Sequence, residues 1–501
     1  MGLVTWMQAH TVATAAAVFF TYYVASTAYA WYRLRKVPGP FLAGLSYLWT
    51  LSVAASGKDA WIYDELAKKY GHLIRVGPGL ILTDDPNVLR RISGVRSTYA
   101  KDAFYRASLK HPDHDTMFSM VDITEHDKRK ALLADSYGKN VALGMEPTVD
   151  NLINTLIQYL RDKCAKGPEA TSVVNFALVV NYFTMDVITR IAFGEELGFL
   201  RSDTDVHNLL AAVRAALRTV NVPLSIPWVR DITTSRWFLN YFGPRPTDKT
   251  GIGLVIGVAE KAVRKRYEPG APDEKDLLSA FVRHGFEPGP AISELLFVML
   301  AGSDTTAAAV RCTMLHLMTT PRVYQQLKSV VQQAVKEGVS SPIKQEEAKK
   351  IAYLQAVIYE GLRMRPPAPL MFPKVVPPQG DEIDGKFIPG GTAVGWNLMP
   401  MMRDARHWGR DPEIFRPERF MDADDKTRVS MERLVEMIFG YGRFGCAGKP
   451  LAQMQLHKVY FELFRHFDFQ LVNPAEPWKS EVWTVWIESD FMVQVTESCP
   501  S

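Results

Sequence analysis

The sequence predicts a mainly α-helical protein with small β-sheets and an N-terminal transmembrane helix. The first 32 residues contain no Asp, Glu, Lys or Arg, which favours a membrane helix. Apolar residues then recur at helical spacing over most of the stretch from about residue 58 to residue 285. After Pro366-Pro367, short extended runs and turns replace that spacing, which predicts a small β-rich portion.

The composition is that of an ordinary globular protein. Of the 501 residues, 47% are hydrophobic and 22% are charged, so the chain can bury a sizeable core. The net charge of +4, without a dense Lys/Arg stripe, argues against a nucleic-acid partner. Four widely spaced cysteines without a CxxC pair argue against a disulfide framework and a zinc site, and favour a reducing, cytosol-facing compartment. They are Cys164, Cys312, Cys446 and Cys499.

The N-terminal segment divides the chain into three parts. The stretch around Thr11 to Trp31 is apolar and long enough to span a bilayer, and Arg33, Arg35 and Lys36 follow it. The positive-inside rule places the rest of the chain in the cytosol. The alternative, a cleaved signal peptide, would have its charges before the apolar stretch. We therefore expect a membrane anchor at 1–32, a basic Pro-Gly-Pro hinge at 33–40 and one catalytic domain at 41–501.

Several elements can be predicted from periodicity and breaker residues. The segment from Ala291 to about Leu317 carries no charge between Leu295 and Ser303, so we expect a central helix through the interior. Another helix should end at Arg365, because two prolines follow it. Further helices are predicted at Trp61–Tyr70, Val149–Lys163, Leu254–Tyr267 and Leu451–Phe467, and strand-like runs at His72–Val76, Leu80–Thr83, Val375–Ile383 and Lys386–Val394.

The strongest local signal is a glycine-rich run around one cysteine, Phe439-Gly-Tyr-Gly-Arg-Phe-Gly-Cys446-Ala-Gly448. Four glycines in ten residues let the backbone fold tightly around the sulfur and approach a flat ligand closely. The following helix directs its N-terminus at Cys446, where its free N–H groups stabilise a thiolate. Taken alone, a cysteine in such a loop would be interpreted as a buried structural residue.

Two further patterns place polar groups in apolar helices. Asp304 and Thr305 lie in the middle of the central helix, where buried polar groups need partners, and Thr305 can bond the carbonyl of Ala301. Packing or capping is the alternative interpretation of that cluster. Glu360 and Arg363 stand at i,i+3 spacing, which sets an acid and a base on one helical face.

Taken in order along the chain, these motifs resemble the cytochrome P450 superfamily. The cysteine run matches the family pattern Phe-Gly-x-Gly-x-Arg-x-Cys-x-Gly except that Phe444 occupies the Arg position and Arg443 stands one residue earlier. The run Phe415 to Phe420 matches the family element that supplies Arg419. Local phrases beginning at Pro366 and at Lys101 resemble pisatin-demethylase-like enzymes of filamentous fungi.

The resemblance implies a haem b cofactor whose iron is bound by the Cys446 thiolate. It implies that Thr305 hydrogen-bonds dioxygen at the iron, that Asp304 relays protons to it, and that Glu360, Arg363 and Arg419 form a structural network. Other expected cofactor-binding residues are Phe439, Gly440, Arg443, His126, Lys130 and Lys374. The expected substrate pocket over the haem includes Phe118, Met299, Ala301, Leu370 and Ile487.

By the same resemblance, the activity is a monooxygenase reaction on a hydrophobic small molecule, in secondary-metabolite biosynthesis at the endoplasmic reticulum membrane. Electrons would come from NADPH through cytochrome P450 reductase, with cytochrome b5 as a second possible donor. Alternatives are desaturation or oxidative coupling without net oxygen insertion, and a non-catalytic haem protein. The intact pair Asp304 and Thr305 favours the oxygen-activating enzymes over the last of these.

Overall fold

A computed structural model describes residues 2–108, 111–137, 144–164 and 172–498. These residues form many helices and four small sheets, which confirms the predicted mainly helical fold with small sheets. The helices, in chain order from α1 to α23, are Gly2–Arg33, Phe41–Leu45, Tyr47–Ala55, Asp59–Tyr70, Pro86–Ser93, Ile123–Tyr137, Glu146–Cys164, Phe176–Phe193, Phe199–Ser202, Leu209–Ser225, Pro227–Thr233, Arg236–Phe242, Gly251–Arg266, Leu277–Arg283, Pro288–Thr319, Pro321–Lys336, Gln345–Ala348, Ala352–Met364, Leu398–Met401, Ala405–Trp408, Arg419–Asp422, Asp425–Glu436 and Lys449–His466.

The strands are short and come mostly from the two ends of the domain. In chain order from β1 to β12 they are Leu73–Gly77, Leu80–Thr83, Ala100–Lys101, Val173–Asn175, Lys374–Val375, Asp381–Ile383, Lys386–Ile388, Ala393–Trp396, Phe467–Leu471, Lys479–Trp483, Val485–Ser489 and Met492–Glu497. A five-stranded sheet has the order β1-β2-β8-β5-β3, and a three-stranded sheet has the order β4-β12-β9. β10 pairs with β11 and β6 with β7 as antiparallel hairpins. The predicted extended runs therefore lie in these sheets.

The core is built around α15, the predicted central helix. It packs along α8, and both helices are buried on nearly all sides. The close approach depends on Gly302, because a Cβ added there would lie 2.5 Å from Ile188 Cδ1. The glycine that the sequence places in the middle of an apolar helix thus serves helix packing.

A buried charge network ties α18 to the chain segment that leads towards Cys446. Arg363 donates to both carboxylate oxygens of Glu360 at 2.8 Å, and Arg419 Nε lies 3.0 Å from Glu360 Oε1. All three side chains are buried. The two guanidiniums also bind backbone carbonyls of Met402, Trp408, Asp411, Pro412 and Ile414. This geometry supports the predicted structural role of the network.

The N-terminal helix α1 ends at Arg33 and presents exposed apolar side chains from Val18 to Tyr32. The Arg75 guanidinium binds the carbonyls of Ala30 and Gly44, which fixes the end of α1 against the domain. Two helices of the described chain are long and apolar enough to cross a membrane, α8 and α15, and both are mostly buried inside the protein. They are core helices, and the predicted N-terminal span stays a prediction.

Three cysteines are described, and Cys164, Cys312 and Cys446 are all free thiols. Cys499 lies outside the described residues.

Candidate active site

Side chains of α15 and the cysteine loop at 439–448 line one internal cavity of about 440 Å³. Thr305 and Ala301 line it from the helix, and Cys446 lines it from the loop. Most of the remaining wall is apolar. The structure therefore brings the predicted sulfur ligand and the predicted oxygen-site threonine to the same cavity.

The cysteine loop is held open towards the cavity by its own backbone. The Cys446 N–H donates to the Phe439 carbonyl at 2.6 Å. Gly440 has φ +80°, and a Cβ there would lie 2.7 Å from the Phe444 carbonyl oxygen, so the turn requires glycine. The Cys446 side chain is exposed and lines the cavity, so its sulfur is accessible to a ligand there.

The local electrostatics act on the Cys446 thiol in two directions. Desolvation by the surrounding protein raises its pKa, while the backbone N–H groups of Gly448 and Lys449 at the start of α23 lower it. The Lys449 ammonium lowers it further. Desolvation is the larger effect, so the pKa of the Cys446 thiol lies above its ordinary value. A bound metal cation would deprotonate the sulfur outright.

Thr305 and Asp304 face different surroundings. Thr305 Oγ1 donates to the Ala301 carbonyl at 2.8 Å, as predicted, and the side chain lines the cavity. Asp304 is buried next to α8, where its Oδ1 accepts a hydrogen bond from Asn181 Nδ2 at 2.6 Å. Its other oxygen, Oδ2, has no hydrogen-bond partner among the described residues. The carboxyl group is therefore held behind the cavity wall, one residue away from the threonine.

Asn181 is held by charged side chains that the sequence did not single out. Its Oδ1 accepts hydrogen bonds from Arg311 and, at 3.4 Å, from Arg214. Arg311 is in turn paired with Glu488 at 2.7 Å, with both side chains buried. These donors orient the amide so that its NH2 group faces Asp304. No sequence pattern marked these residues, since they come from four elements far apart in the chain.

Three of the four predicted basic partners of a cofactor line the cavity, namely His126, Lys130 and Lys374. Arg443 is not among the residues that line it, and its contact with a cofactor stays a prediction. Its guanidinium pairs with Asp127 at 3.3 Å and donates to the Val95 carbonyl at 2.8 Å. Phe444 occupies the inner side of the turn at Gly442–Phe444, so the neighbouring Arg443 points outwards.

Lys101 is a cavity residue that the sequence analysis quoted only as part of a phrase. It is 3% exposed, and its Nζ donates to the Phe118 carbonyl at 2.5 Å. It lies directly opposite Lys374 in the β3–β5 pair. Like charges at opposite strand positions are unfavourable. Burial lowers the pKa of Lys101 to about 7, and burial followed by the charge of Lys101 lowers that of Lys374 well below its ordinary value.

These lysines surround the ring of Phe444. Lys374 Nζ lies 4.3 Å and Lys101 Nζ 5.8 Å from the ring centre, and the His126 ring lies 5.2 Å from it. The cluster is buried and basic. Neither lysine pairs with a carboxylate among the described residues, whereas His126 Nδ1 lies 3.1 Å from Asp127 Oδ1. An anionic ligand in the cavity would offset the charge that burial penalises.

The predicted substrate-pocket residues divide into two groups. Phe118, Ala301 and Leu370 line the cavity, whereas Met299 and Ile487 are not among its lining residues. Met299 stands two positions from Ala301, about 200° around the helix, and is buried in the core behind it. Val485 reaches the cavity near the β10–β11 turn, and Ile487 lies about 7 Å farther along β11.

The cavity presents an accessible cysteine sulfur, and the glycine turn beside it lets a flat group approach. Buried cations face the same apolar cavity. These features fit an anionic, planar metal cofactor. The donor set suits haem, with one soft sulfur for the iron and Lys101, Lys130, Lys374 and His126 for its carboxylates. Phe439 and Gly440 also line this part of the cavity. The fold and this site define the class of haem-thiolate proteins.

Comparison with known proteins identifies the family. The family model described as Cytochrome P450 matches residues 38–495. The chain is 45% identical to cytochrome P450 monooxygenase aba1 of Botryotinia fuckeliana over 469 residues, covering 93% of this chain and 92% of the relative. It is 40% identical to ABA1 of Pyricularia oryzae over 474 residues, covering 93% of both chains. It is 38% identical to abl1 of Leptosphaeria maculans over 485 residues, covering 95% of this chain and 85% of the relative.

The chain therefore belongs to the cytochrome P450 family and is a monooxygenase of that family. Members of the family hold haem b through a cysteine thiolate. The three relatives are fungal proteins, in agreement with the fungal resemblance of the sequence.

Proposed function

We propose that the protein oxidises a hydrophobic small molecule in fungal secondary metabolism, using dioxygen and electrons that reach it from NADPH through a membrane-bound reductase. The observation that carries this proposal is the meeting of Cys446 and Thr305 at one apolar cavity. Thiolate-bound haem supplies reductive activation of dioxygen. The relatives from three fungi, all named monooxygenases, support the same activity.

The chain's own residues would hold the cofactor and manage protons. Lys101, Lys130, Lys374 and His126 would bind the haem carboxylates through charge-assisted hydrogen bonds. The Thr305 hydroxyl, now bonded to the Ala301 carbonyl, would turn to hydrogen-bond the oxygen substrate. Asp304 would supply the proton, and its unpartnered Oδ2 is the atom that would carry it. Asn181 anchors the other carboxylate oxygen while this proton moves.

The same proposal includes attachment to the endoplasmic reticulum membrane through α1. An apolar surface near α1 supports it, because exposed aromatic patches mark membrane contacts. This surface consists of Phe41, Leu42, Leu48, Trp228, Ile232, Trp237, Tyr241 and Phe242. Its parts are neighbours because α3 packs on α10, the helix that leads into α11 and α12. The catalytic domain would then face the cytosol, where the reductase and cytochrome b5 can reach it.

The first experiment is a difference spectrum of the reduced full chain in membranes with carbon monoxide. We expect the band of thiolate-bound haem, which Cys446→Ser should abolish. Cys164→Ser is the matched control, because that thiol is half-buried on α7 outside the cavity lining. A histidine-type band in the unmodified protein, or no band in well-folded protein, would contradict the proposal.

The second experiment adds a reductase, NADPH and candidate substrates and records the product mass. A gain of one oxygen supports monooxygenation. A loss of two hydrogens would indicate desaturation or coupling at the same site. NADPH use that no substrate stimulates would favour a non-catalytic haem protein.

A further inference from the structure

One face of α15 runs along the whole cavity. Ser293, Phe297, Ala301 and Thr305 follow one another at i,i+4 spacing, and all four line the cavity. Twelve residues separate Ser293 from Thr305, which corresponds to about 18 Å along the helix. The cavity therefore has a reactive end at Thr305 and a remote end at Ser293.

The remote end carries a buried hydroxyl without a partner. Ser293 is 3% exposed, and its Oγ makes no hydrogen bond with any described residue. A buried polar group left unpaired destabilises a protein. Because the side chain lines the cavity, a ligand oxygen placed there would give it the missing hydrogen bond.

An imidazole packs against the helix one turn before this hydroxyl. A Cβ added at Gly289 would lie 2.8 Å from His114 Cδ2, so the ring lies across α15 one turn before Ser293. The ring also lines the cavity and stacks on His111 with a centroid distance of 4.5 Å. A neutral imidazole and a hydroxyl each donate and accept a hydrogen bond. Together they can bind a ligand oxygen that donates a hydrogen bond, as a hydroxyl does, or one that accepts, as a carbonyl does.

The carboxylate at the remote end already has its partners. Glu294 accepts hydrogen bonds from Arg129 at 3.1 Å and from the Met117 N–H at 2.7 Å. Lys101, whose ammonium donates to the Phe118 carbonyl, is one of the groups that fit the cofactor carboxylates. A carboxylate ligand at the remote end would therefore compete with Glu294 for Arg129, whereas a neutral oxygen group can be held by the Ser293 hydroxyl and the His114 ring alone.

The wall between the two ends is apolar. Phe118 stacks on Phe297 with ring centres 4.8 Å apart, and both rings line the cavity. Only an apolar skeleton suits this stretch, because its aromatic surface gives few hydrogen bonds.

We propose that the substrate is an elongated apolar molecule that carries a neutral hydroxyl or carbonyl group at the end remote from the oxidised carbon, and that Ser293 and His114 bind this group. The inference rests on the proposed function, since it assigns the substrate class of the same site. Ser293 and His114 are then specificity-determining residues, because they contact the substrate far from the reacting atoms.

The test measures binding to the full-length holoenzyme through the change in the haem spectrum when a ligand displaces water from the iron. The probes are dodecane, dodecan-1-ol and dodecanoic acid, which share one chain length. We expect the alcohol to bind about tenfold more tightly than the alkane, which corresponds to about 1.4 kcal/mol. Ser293→Ala should remove most of this preference and leave the alkane affinity unchanged.

Ser303→Ala is the matched control on the same helix. Its hydroxyl is bonded to the Met299 carbonyl and the side chain is not among the cavity lining, so the preference should persist. His114→Phe should also weaken the alcohol selectively.

Equal binding of alcohol and alkane would overturn the inference, and so would binding of none of the probes by a protein with an intact thiolate band. Tighter binding of the acid would overturn the claim of a neutral group. Absence of the thiolate band is a failure of the proposed function, and it is detected before any probe is added.

Discussion

Replacing Glu360 by alanine should destabilise the protein more than any exposed charge change. The side chain is fully buried and accepts hydrogen bonds from Arg363, Arg419 and the Arg416 N–H. Without it, the buried Arg363 guanidinium loses its counter-charge, and the Arg419 guanidinium keeps only its contact with Asp411 among the described residues. Breaking a buried pair in this way costs about 3–5 kcal/mol, which is roughly a 10²- to 10⁴-fold change in the folding equilibrium. The haem should also be lost more easily, because the guanidiniums position the segment leading to Cys446.

The assay is urea denaturation of the holoenzyme, followed by tryptophan fluorescence and by the carbon monoxide band. Glu360→Gln is the milder variant, since it keeps an oxygen acceptor and should remain measurable if the alanine variant does not fold. Glu260→Ala is the surface control, because its partner Arg264 is largely exposed, and it should change stability by about 0.5 kcal/mol or less. A loss below about 1 kcal/mol in Glu360→Ala would refute the view that the three residues form one buried charge unit.

Three further predictions concern the cavity wall. Thr305→Ala should raise the hydrogen peroxide released per NADPH, because the hydroxyl facing the cavity is lost, whereas Thr305→Ser should restore coupling. Gly302→Ala should lower stability by about 1–3 kcal/mol in denaturation measurements, because the added Cβ meets Ile188. Ile188→Val should recover part of that loss in the double variant. If the effects of the two substitutions on stability simply add, the contact is contradicted. Burial raises the pKa of Glu294 from its ordinary 4.5 to about 7. Between these two pH values the folded chain binds a proton that the unfolded chain releases, so stability falls as the pH rises. Glu294→Gln should flatten the dependence of Tm on pH in this range.

Residues in local motifs could be predicted because backbone rules link sequence spacing to geometry. Thr305 reaches the carbonyl of Ala301 through i,i–4 bonding within one helix. Glu360 and Arg363 meet through i,i+3 spacing. Glycines around Cys446 indicated a tight turn, and Gly440 adopts the left-handed conformation that such a turn requires. In these cases the chemistry depends on residues near one another in the chain.

Residues whose role depends on long-range contacts could not be predicted in this way. Lys101 becomes a cavity residue because β3 pairs with β5, more than 270 positions later in the chain. Asn181 meets Asp304 because α8 packs on α15. Met299 and Ala301 are both predicted pocket residues, but only Ala301 lines the cavity, because two positions along the helix turn Met299 to the core. The spacing of residues along the chain does not show which face of a helix or strand a neighbouring element will cover.

The cysteine loop departs from the family pattern at Phe444, and the neighbouring five-stranded sheet contains an unusual pair of buried lysines. Phe444 takes the inner position where the pattern has arginine, and the Arg443 side chain points outwards and pairs with Asp127. Two lysines opposite each other in β3 and β5 would be unfavourable in a buried sheet without an anion. If the haem carboxylates are that anion, charge absent from the loop is supplied by Lys101 and Lys374, whose ammonium groups lie over the Phe444 ring. The phenylalanine in the loop and the lysine pair in the sheet then belong together. The phenylalanine alone would leave the site with too little positive charge, and the lysine pair together with a loop arginine would leave it with too much.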